Sequence, residues 1–329
     1  MSIAVPSRHI PFSDLLDAAR AIYEAAVRTP LVRIELDRPP IRELYLKLEV
    51  LQPIGSFKIR GAYNAIRQLT ADQLKDGVWT VSAGNAAQGV ALAARKVGAP
   101  CSVMVMDTAP ATKVEAIQRL GASIVRASYD ECWQTVIAHG SDRMKGHFVH
   151  PFDDDRFIAG NGTVGLEILA DLPAVDAIVA PLGGGGLLSG IAAAVRGSGR
   201  DDVRIFAAEP ETAAPLAASL AAGRPMFFDG WTASFVDGAG GKSVLETMWP
   251  LLRSLSGSVV VSLAEVATAI KIVAERAHVI AEGAAGCAVA AAVSGRAGGG
   301  NVVAVVSGGN IDLATFAQLV TTREQAPRA

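Results

Sequence analysis

Gly55-Ser56-Phe57-Lys58-Ile59-Arg60-Gly61-Ala62 sets one lysine among apolar neighbours, just after the turn signal Pro53-Ile54-Gly55 and ahead of a helix predicted to run to about Leu69. Flanked by Phe57 and Ile59, the amine of Lys58 loses water, and desolvation disfavours the ammonium form. A neutral amine is a nucleophile, and a Schiff base with an aldehyde is the usual use for one. Taken by itself, the stretch reads more plainly as an amphipathic lysine snorkelling at a helix start. Three Gly-rich stretches downstream weigh against that plainer reading.

Outward from the lysine, apolar periodicity alternates between helix and strand. Upstream it predicts a helix over 13–28 with Ser13 as its cap, a stop at Thr29-Pro30, and short strands over 31–36 and 44–48 around a turn at Pro39-Pro40. Downstream, strands are predicted over 78–81, 101–106, 123–126 and 147–149, with helices over 86–97, 111–120 and 129–145 between them. Pro151 and the run Asp153-Asp154-Asp155 break that series and mark a domain boundary. A second series follows, with helices over 157–170, 187–196, 212–222, 243–254 and 263–277 and strands over 177–180, 203–208, 259–261 and 302–306. Continuous apolar strands separated by helices predict an α/β fold built on parallel sheets covered on both faces.

The chain has 329 residues, 30 basic against 32 acidic, with a net charge of −2 and no basic run, which argues against a nucleic-acid or membrane-surface partner. Met1 to Arg8 lacks the basic region and apolar core of a secretory signal, and the most apolar window, Ala284 to Val293, is too short to span a bilayer. Cys101, Cys132 and Cys287 are odd in number and widely spaced, so they read as small buried hydrophobes in a reducing, cytoplasmic protein.

Ser82-Ala83-Gly84-Asn85 lies between a predicted strand and helix, where backbone amides and the Asn85 side chain suit a carboxylate. Gly183-Gly184-Gly185-Gly186 follows another apolar strand and opens a helix, leaving a nest of bare amides that suits a phosphate. Ser307-Gly308-Gly309-Asn310 follows a third, and its serine hydroxyl suits a neutral ring nitrogen. Glu282-Gly283 reads as polar support or as a helix cap. Gly241-Lys242-Ser243 resembles the end of a P-loop, but Val236 stands where the first glycine belongs. His147 and His150 beside the three aspartates suggest a metal less than a solvated turn, since a spacing of three along a strand puts them on opposite faces.

Lysine, carboxylate loop, phosphate loop and serine, in that order, resemble the fold-type II enzymes that use pyridoxal 5'-phosphate, and the serine/threonine dehydratase branch most of all. Gly55 to Ala62 matches the cofactor-lysine motif, Ser82 to Asn85 with Ala87-Gln88-Gly89 the substrate loop, and Ile158-Ala159-Gly160-Asn161-Gly162-Thr163 is similar to the family's Ile-Ala-Gly-Gln-Gly-Thr. The resemblance runs from about Arg28 to Asn310. It implies a tryptophan synthase β-like fold of two α/β domains, with residues 1–76 and 151–329 as a large cofactor-binding domain and 77–150 as a small mobile one that closes over the substrate. Carried over residue by residue, Lys58 holds the cofactor and acts as acid and base at the substrate α-carbon, Phe57 packs beside the ring, Asn85 bonds the ring hydroxyl, Gly183, Gly184, Gly185 and Gly186 hold the phosphate, and Ser307 meets the ring nitrogen. Ser82, Ala83, Gly84, Asn85 and Ala86 form the substrate loop.

The resemblance implies β-elimination of water and then ammonia from a β-hydroxy-α-amino acid such as threonine, serine or phenylserine, giving a 2-oxo acid, by an amino-acid-catabolic homodimer. A β-replacement synthase or a racemase of the same fold is the alternative. Ala83 stands where related racemases place a reprotonating serine, which argues against racemisation. Ala86 replaces the histidine of many dehydratases, implying a side-chain pocket roomy enough for an aryl group. Glu209 survives from the divalent-ion site of the racemase-like branch, but Pro215 replaces its aspartate, which leaves carbonyls near Glu209 for a monovalent cation. No C-terminal regulatory domain is expected, and hence no feedback control by an end-product amino acid.

Overall fold

A computed structural model describes residues 7–35 and 41–321, so the turn expected at Pro39-Pro40 and the end of the first predicted strand at Leu36 lie outside the described residues. The strands are β1 (Leu31–Ile34), β2 (Ile41–Leu48), β3 (Val78–Val81), β4 (Cys101–Met106), β5 (Ser123–Ala127), β6 (His147–Phe148), β7 (Ala177–Pro181), β8 (Arg204–Pro210), β9 (Gly257–Val261) and β10 (Gly300–Val306). The helices are α1 (Phe12–Ala21), α2 (Lys58–Ile66), α3 (Ala71–Leu74), α4 (Asn85–Val97), α5 (Ala111–Arg119), α6 (Tyr129–Ala138), α7 (Asp155–Asp171), α8 (Gly186–Gly197), α9 (Pro215–Ala222), α10 (Trp249–Leu252), α11 (Leu263–Ala277), α12 (Gly283–Val293) and α13 (Leu313–Thr321).

These strands form two sheets, one ordered β1-β2-β10-β7-β8-β9 and the other β5-β4-β3-β6. Every pairing is parallel except β1 with β2 at one edge. In the larger sheet Ile178, Ala180, Ile205, Val303 and Val305 pack into one core with α7 and α8, while Ala177, Val179, Ala208, Val302 and Ala304 pack into another with α11 and α12. Coverage on both faces is why these strands read as unbroken apolar runs.

Both sheets reverse direction in the same way. From β7 the chain steps outward through β8 and β9, then returns to the other side of β7 as β10; from β3 it steps through β4 and β5, then returns beside β3 as β6. Ligands bind beyond strand C-termini at such reversals. The loops leaving β7, β10, β3 and β6 are the glycine run at 183–186, the stretch 307–310, the stretch 82–84 and the segment 149–154.

Helix α2 lies where these loops converge, and it is buried at every position from Ile59 to Ile66. Its approach to α7 needs glycine on both sides. A Cβ on Gly61 would lie 2.3 Å from Phe157 Cδ1, and one on Gly160 would lie 2.4 Å from the Arg60 carbonyl oxygen. The Arg60 guanidinium is fully buried and reaches Glu49 at 2.7 and 2.8 Å, Glu167 at 2.6 Å and Thr163 at 3.0 Å. Lys47, also fully buried, donates to Glu167 at 2.6 Å and to the Thr29 carbonyl at 2.7 Å, and Thr29 Oγ1 donates to Glu49 at 2.6 Å. Two cations and two anions thus neutralise one another between the end of β2, helix α2 and helix α7.

Several elements differ from the sequence-based expectation. Ser13 lies inside α1, whose cap is Pro11, and the α-helix ends at Ala21 in a 3₁₀ turn over Ile22–Glu24 instead of running to Arg28. The helix expected over 129–145 stops at Ala138, because His139 adopts the left-handed conformation (φ 54°) that ends it. Of the helix expected over 243–254 only Trp249–Leu252 forms, since Ser243 pairs with Phe227 in a β-bridge. The expected exposed acidic turn is largely structural. Asp153 is buried against Arg8, Thr247 and His139, Asp154 caps α7 through the Phe157 amide, and His150 is buried with its ring nitrogens facing the Asp153 amide and the Val136 carbonyl.

Arg60→Leu leaves Glu49 and Glu167 buried without their shared partner, and breaking a buried pair on one side costs about 3–5 kcal/mol. Urea unfolding should show a loss of that size for Arg60→Leu, against a loss of less than about 1 kcal/mol for exposed Arg253→Leu.

Candidate active site

Helix α2 starts at the lysine singled out above. Lys58 Nζ donates to the Pro151 carbonyl at 2.7 Å and lies 5.3 Å from the ring centres of both Phe57 and Phe157. Packing around the amine strips water from it and lowers its pKa to about 8, an effect that the carboxylate of Glu282 partly offsets. The sequence reading assigned this desolvation to Phe57 and Ile59. Phe57 does lie over the amine, but the second ring is that of Phe157 on α7 and not the side chain of Ile59.

The residues before Lys58 are strapped to the loop after β10. Gly309 N donates to Gly55 O at 2.9 Å, Ser56 forms a β-bridge with Gly308, and Phe57 N donates to Ser307 O at 3.0 Å. Ser56 Oγ is buried and lacks a hydrogen-bond partner among the described residues. On the other side of α2, a Cβ on Gly89 would lie 3.0 Å from the Lys58 carbonyl oxygen, so the first turns of α2 and α4 are in close contact. The loop after β3 curls through the Gly84 amide, which donates to Ser82 Oγ at 3.1 Å. No atom would lie within 4 Å of a Cβ on Gly84, so that side of the loop is open. Ala83 is partly buried, and Ala86 is buried in the first turn of α4.

Asn85 joins two of the loops to a residue whose role the sequence left open. Its Nδ2 donates to Glu282 Oε1 at 2.8 Å, and its Oδ1 accepts from Asn310 Nδ2 at 2.7 Å, which also reaches Ile54 O at 2.8 Å. Glu282 sits one residue before α12, its amide donating to Gly308 O at 3.0 Å. Burial, with the charge of Asp237 added to it, raises the Glu282 pKa to about 7, against the hydrogen bond from Asn85. The sequence signal for this was only a glutamate at a helix start, which reads equally well as polar support or as a cap, and its side chain makes no capping hydrogen bond.

The four glycines after β7 are held tightly from behind. A Cβ on Gly184 would lie 2.1 Å from the Phe152 ring, one on Gly183 2.8 Å from Gly238 O, one on Gly185 2.7 Å from Leu252 Cδ1 and one on Gly186 2.8 Å from Phe152 O. Gly185 is left-handed (φ 91°), and α8 opens with no side chain capping it. The amides of a helix's first turn have no partner within the helix, and the positive end of its dipole lies there. Phe152 backs these glycines, and its neighbour Pro151 receives the lysine amine, so the segment after β6 binds the glycine run to Lys58.

Glu209 stands apart from this cluster. It is buried, its oxygens accept from the Leu216 and Ala217 amides at 2.8 Å and from Ser258 Oγ at 2.5 Å, and Pro215 begins the helix that it caps.

Residues 22–308 match the family described as pyridoxal-phosphate dependent enzyme. The chain is 39% identical to the L-threonine ammonia-lyase of Thermotoga maritima over 92% of its own length and 76% of that protein's. It is 37% identical to human serine racemase over 97% of its own length and 96% of that protein's. Among solved structures, maize serine racemase superposes with a TM-score of 0.85 at 32% identity, covering 94% of this chain and 97% of that one.

A labelling experiment checks the electrostatics of the cluster. Treated with an amine-reactive nitrobenzene reagent across a pH series, the cofactor-free protein should react at Lys58 with a midpoint near pH 8, well below that of an exposed lysine. Because the Glu282 carboxylate favours the ammonium form, Glu282→Gln should move that midpoint to still lower pH. Mass spectrometry of the labelled peptides reads both values.

Proposed function

The chain belongs to the pyridoxal-phosphate dependent enzyme family, and on that premise we propose that it eliminates water and then ammonia from a β-hydroxy-α-amino acid, leaving a 2-oxo acid. The observation that carries this reading is the amine of Lys58, half-buried between two aromatic rings, with a lowered pKa, beside the loops that leave four strand ends. The 39% identity to an L-threonine ammonia-lyase supports elimination as the chemistry.

The residues present suit pyridoxal 5'-phosphate. An uncapped helix start preceded by four glycines provides amide donors and a positive dipole for the phosphate of the cofactor, so Gly183, Gly184, Gly185 and Gly186 would hold that group. Asn85 keeps one amide hydrogen beyond the one it gives Glu282, and that hydrogen would serve the ring hydroxyl. Ser307 would meet the ring nitrogen as a neutral donor, and Phe57 would flank the ring. When bound, the cofactor supplies an aldehyde for the amine and an electron-withdrawing ring that acidifies the α-carbon of the amino acid.

The residues of the chain do the rest. Lys58, with a pKa near 8, is close to the balance between proton acceptor and donor that acid–base work at the α-carbon requires, and Pro151 O orients its amine. Glu282, poised near pH 7, braces Asn85 and sets the field that the lysine feels. The amides around Ser82, Ala83, Gly84 and Asn85 would bind the substrate carboxylate at the start of α4. Ala83 carries no hydroxyl to return a proton from the opposite face, which favours elimination over racemisation.

Buried Ala86, next to the open side of Gly84, supports a pocket that accepts an aryl side chain as in phenylserine. A small mobile domain over residues 77–150, closing on a large one built from 1–76 and 151–329, fits the two-sheet layout; a homodimeric assembly and a cytoplasmic setting belong to the reading by family resemblance alone. The proposal also places a monovalent cation on carbonyls beside Glu209, where burial raises the carboxylate's pKa and a cation would offset its charge.

Two measurements check these statements. Purified, cofactor-loaded protein should release 2-oxo acid and ammonia from L-threonine, L-serine or L-threo-phenylserine, and Lys58→Ala should abolish the release; Ala86→His should slow phenylserine more than serine. Exchanging K⁺ for tetramethylammonium should lower the thermal midpoint, by about 2–4 °C for a stabilisation on the order of 1 kcal/mol; an unchanged midpoint removes the cation from the reading.

A further inference from the structure

Lys242, the lysine of the segment that looks like a broken P-loop, has a different task in the fold. Residues 228–242 form a closed loop, with Phe228 N donating to Lys242 O at 2.8 Å at its neck beside the Phe227–Ser243 bridge. Inside it, Trp231 Nε1 donates to Gly240 O at 2.9 Å. A loop of this length with its ends together and its own side chains packed inside is compact, and Val236 and Ala239 seat it in the core of the larger sheet.

This loop touches both sides of the cleft. Toward the larger sheet, Gly238 O stands 2.8 Å from where a Gly183 Cβ would be, and the Cβ position of Gly238 lies 3.5 Å from Glu282 Oε1. Toward the smaller sheet, Lys242 Nζ sits between two rings, 4.4 Å from the centre of Trp231 on the loop and 4.5 Å from that of Tyr129, the first residue of α6. Asp237 makes a second tie across the cleft by pairing with Lys113 of α5. An ammonium over the face of an aromatic ring is attracted by the ring's quadrupole, and tryptophan and tyrosine are the better partners.

We propose that Lys242 is a positioning residue: stacked between Trp231 and Tyr129, it latches the 228–242 loop onto the smaller sheet and so holds Gly238 against the glycine run and Glu282 with the cleft closed. This assignment rests on the reading of the cleft as the site of amino-acid elimination. Lys242 itself touches neither Lys58 nor the glycine run. Its loss therefore loosens closure and weakens substrate capture while leaving the chemical step intact.

The test compares cofactor-loaded wild type with Lys242→Met, Lys242→Arg and Tyr129→Leu. Steady-state ammonia release from L-threonine should show KM about twofold to fivefold higher in Lys242→Met and Tyr129→Leu with kcat essentially that of wild type, the size expected for one exposed cation–π contact. Lys242→Arg, which keeps the cation, should restore wild-type KM. Hydrogen–deuterium exchange without substrate should be faster over 228–242 and at the start of α6 in Lys242→Met, and unchanged in Lys242→Arg. Unchanged exchange in Lys242→Met overturns the latch, as does a fall in kcat at constant KM, or Arg and Met variants that behave alike. If none of L-threonine, L-serine and L-threo-phenylserine is turned over, the elimination reading fails, while the exchange comparison still decides the latch.

Discussion

Lys58 stays in place because a buried arginine two residues further on does. Arg60 holds the end of β2 through Glu49 and holds α7 through Glu167 and Thr163, with Lys47 completing the charge balance. A guanidinium taken wholly out of water is tolerable only when its donors are met by carboxylates in good geometry, so the four charged groups fix one another's positions. Helix α2 is thereby pinned on two sides, and Gly61 and Gly160 allow the approach to α7 that brings Phe157 over the lysine amine.

From that anchored helix the chemistry of the cleft follows by proximity. The segment before Lys58 is strapped to the loop after β10, its amine to the segment after β6, and its backbone to the first turn of α4. Burial acts on both members of the Lys58–Glu282 relationship and moves them toward each other, the lysine down to about 8 and the glutamate up to about 7. The Glu282 charge restrains the lysine's shift and the hydrogen bond from Asn85 restrains that of Glu282, so both groups titrate close to neutrality, where proton transfer is easiest to run in both directions.

The larger architecture was readable from period and punctuation. Unbroken apolar strands such as 177–181 and 302–306, each followed by glycine or serine loops, specify a doubly covered parallel sheet, and both were placed correctly to within a residue or two. Element ends were less readable because they are set by tertiary partners. His139 terminates α6 in a left-handed conformation and faces Asp153 beyond the helix, and Ser243 leaves a helical pattern to pair with Phe227. The acidic run at 153–155 looked solvated, yet Asp153 is buried because Arg8, some 145 residues earlier in the chain, supplies its counter-charge.

Taken alone, the amino-acid sequence marked the candidate residues: the lysine stretch, the four-glycine run and the serine- and asparagine-bearing loops are contiguous motifs whose meaning is local, since a bare amide nest or an amine before a helix needs only its neighbours in the chain. The tertiary structure alone decided what surrounds them. Phe157, Pro151 and Glu282 reach Lys58 or Asn85 from roughly 90 to 200 residues away. Which of many phenylalanines, carbonyls and carboxylates will do so is fixed by sheet order and helix packing, because burial and Coulomb interactions depend on distance in space and not on separation along the chain.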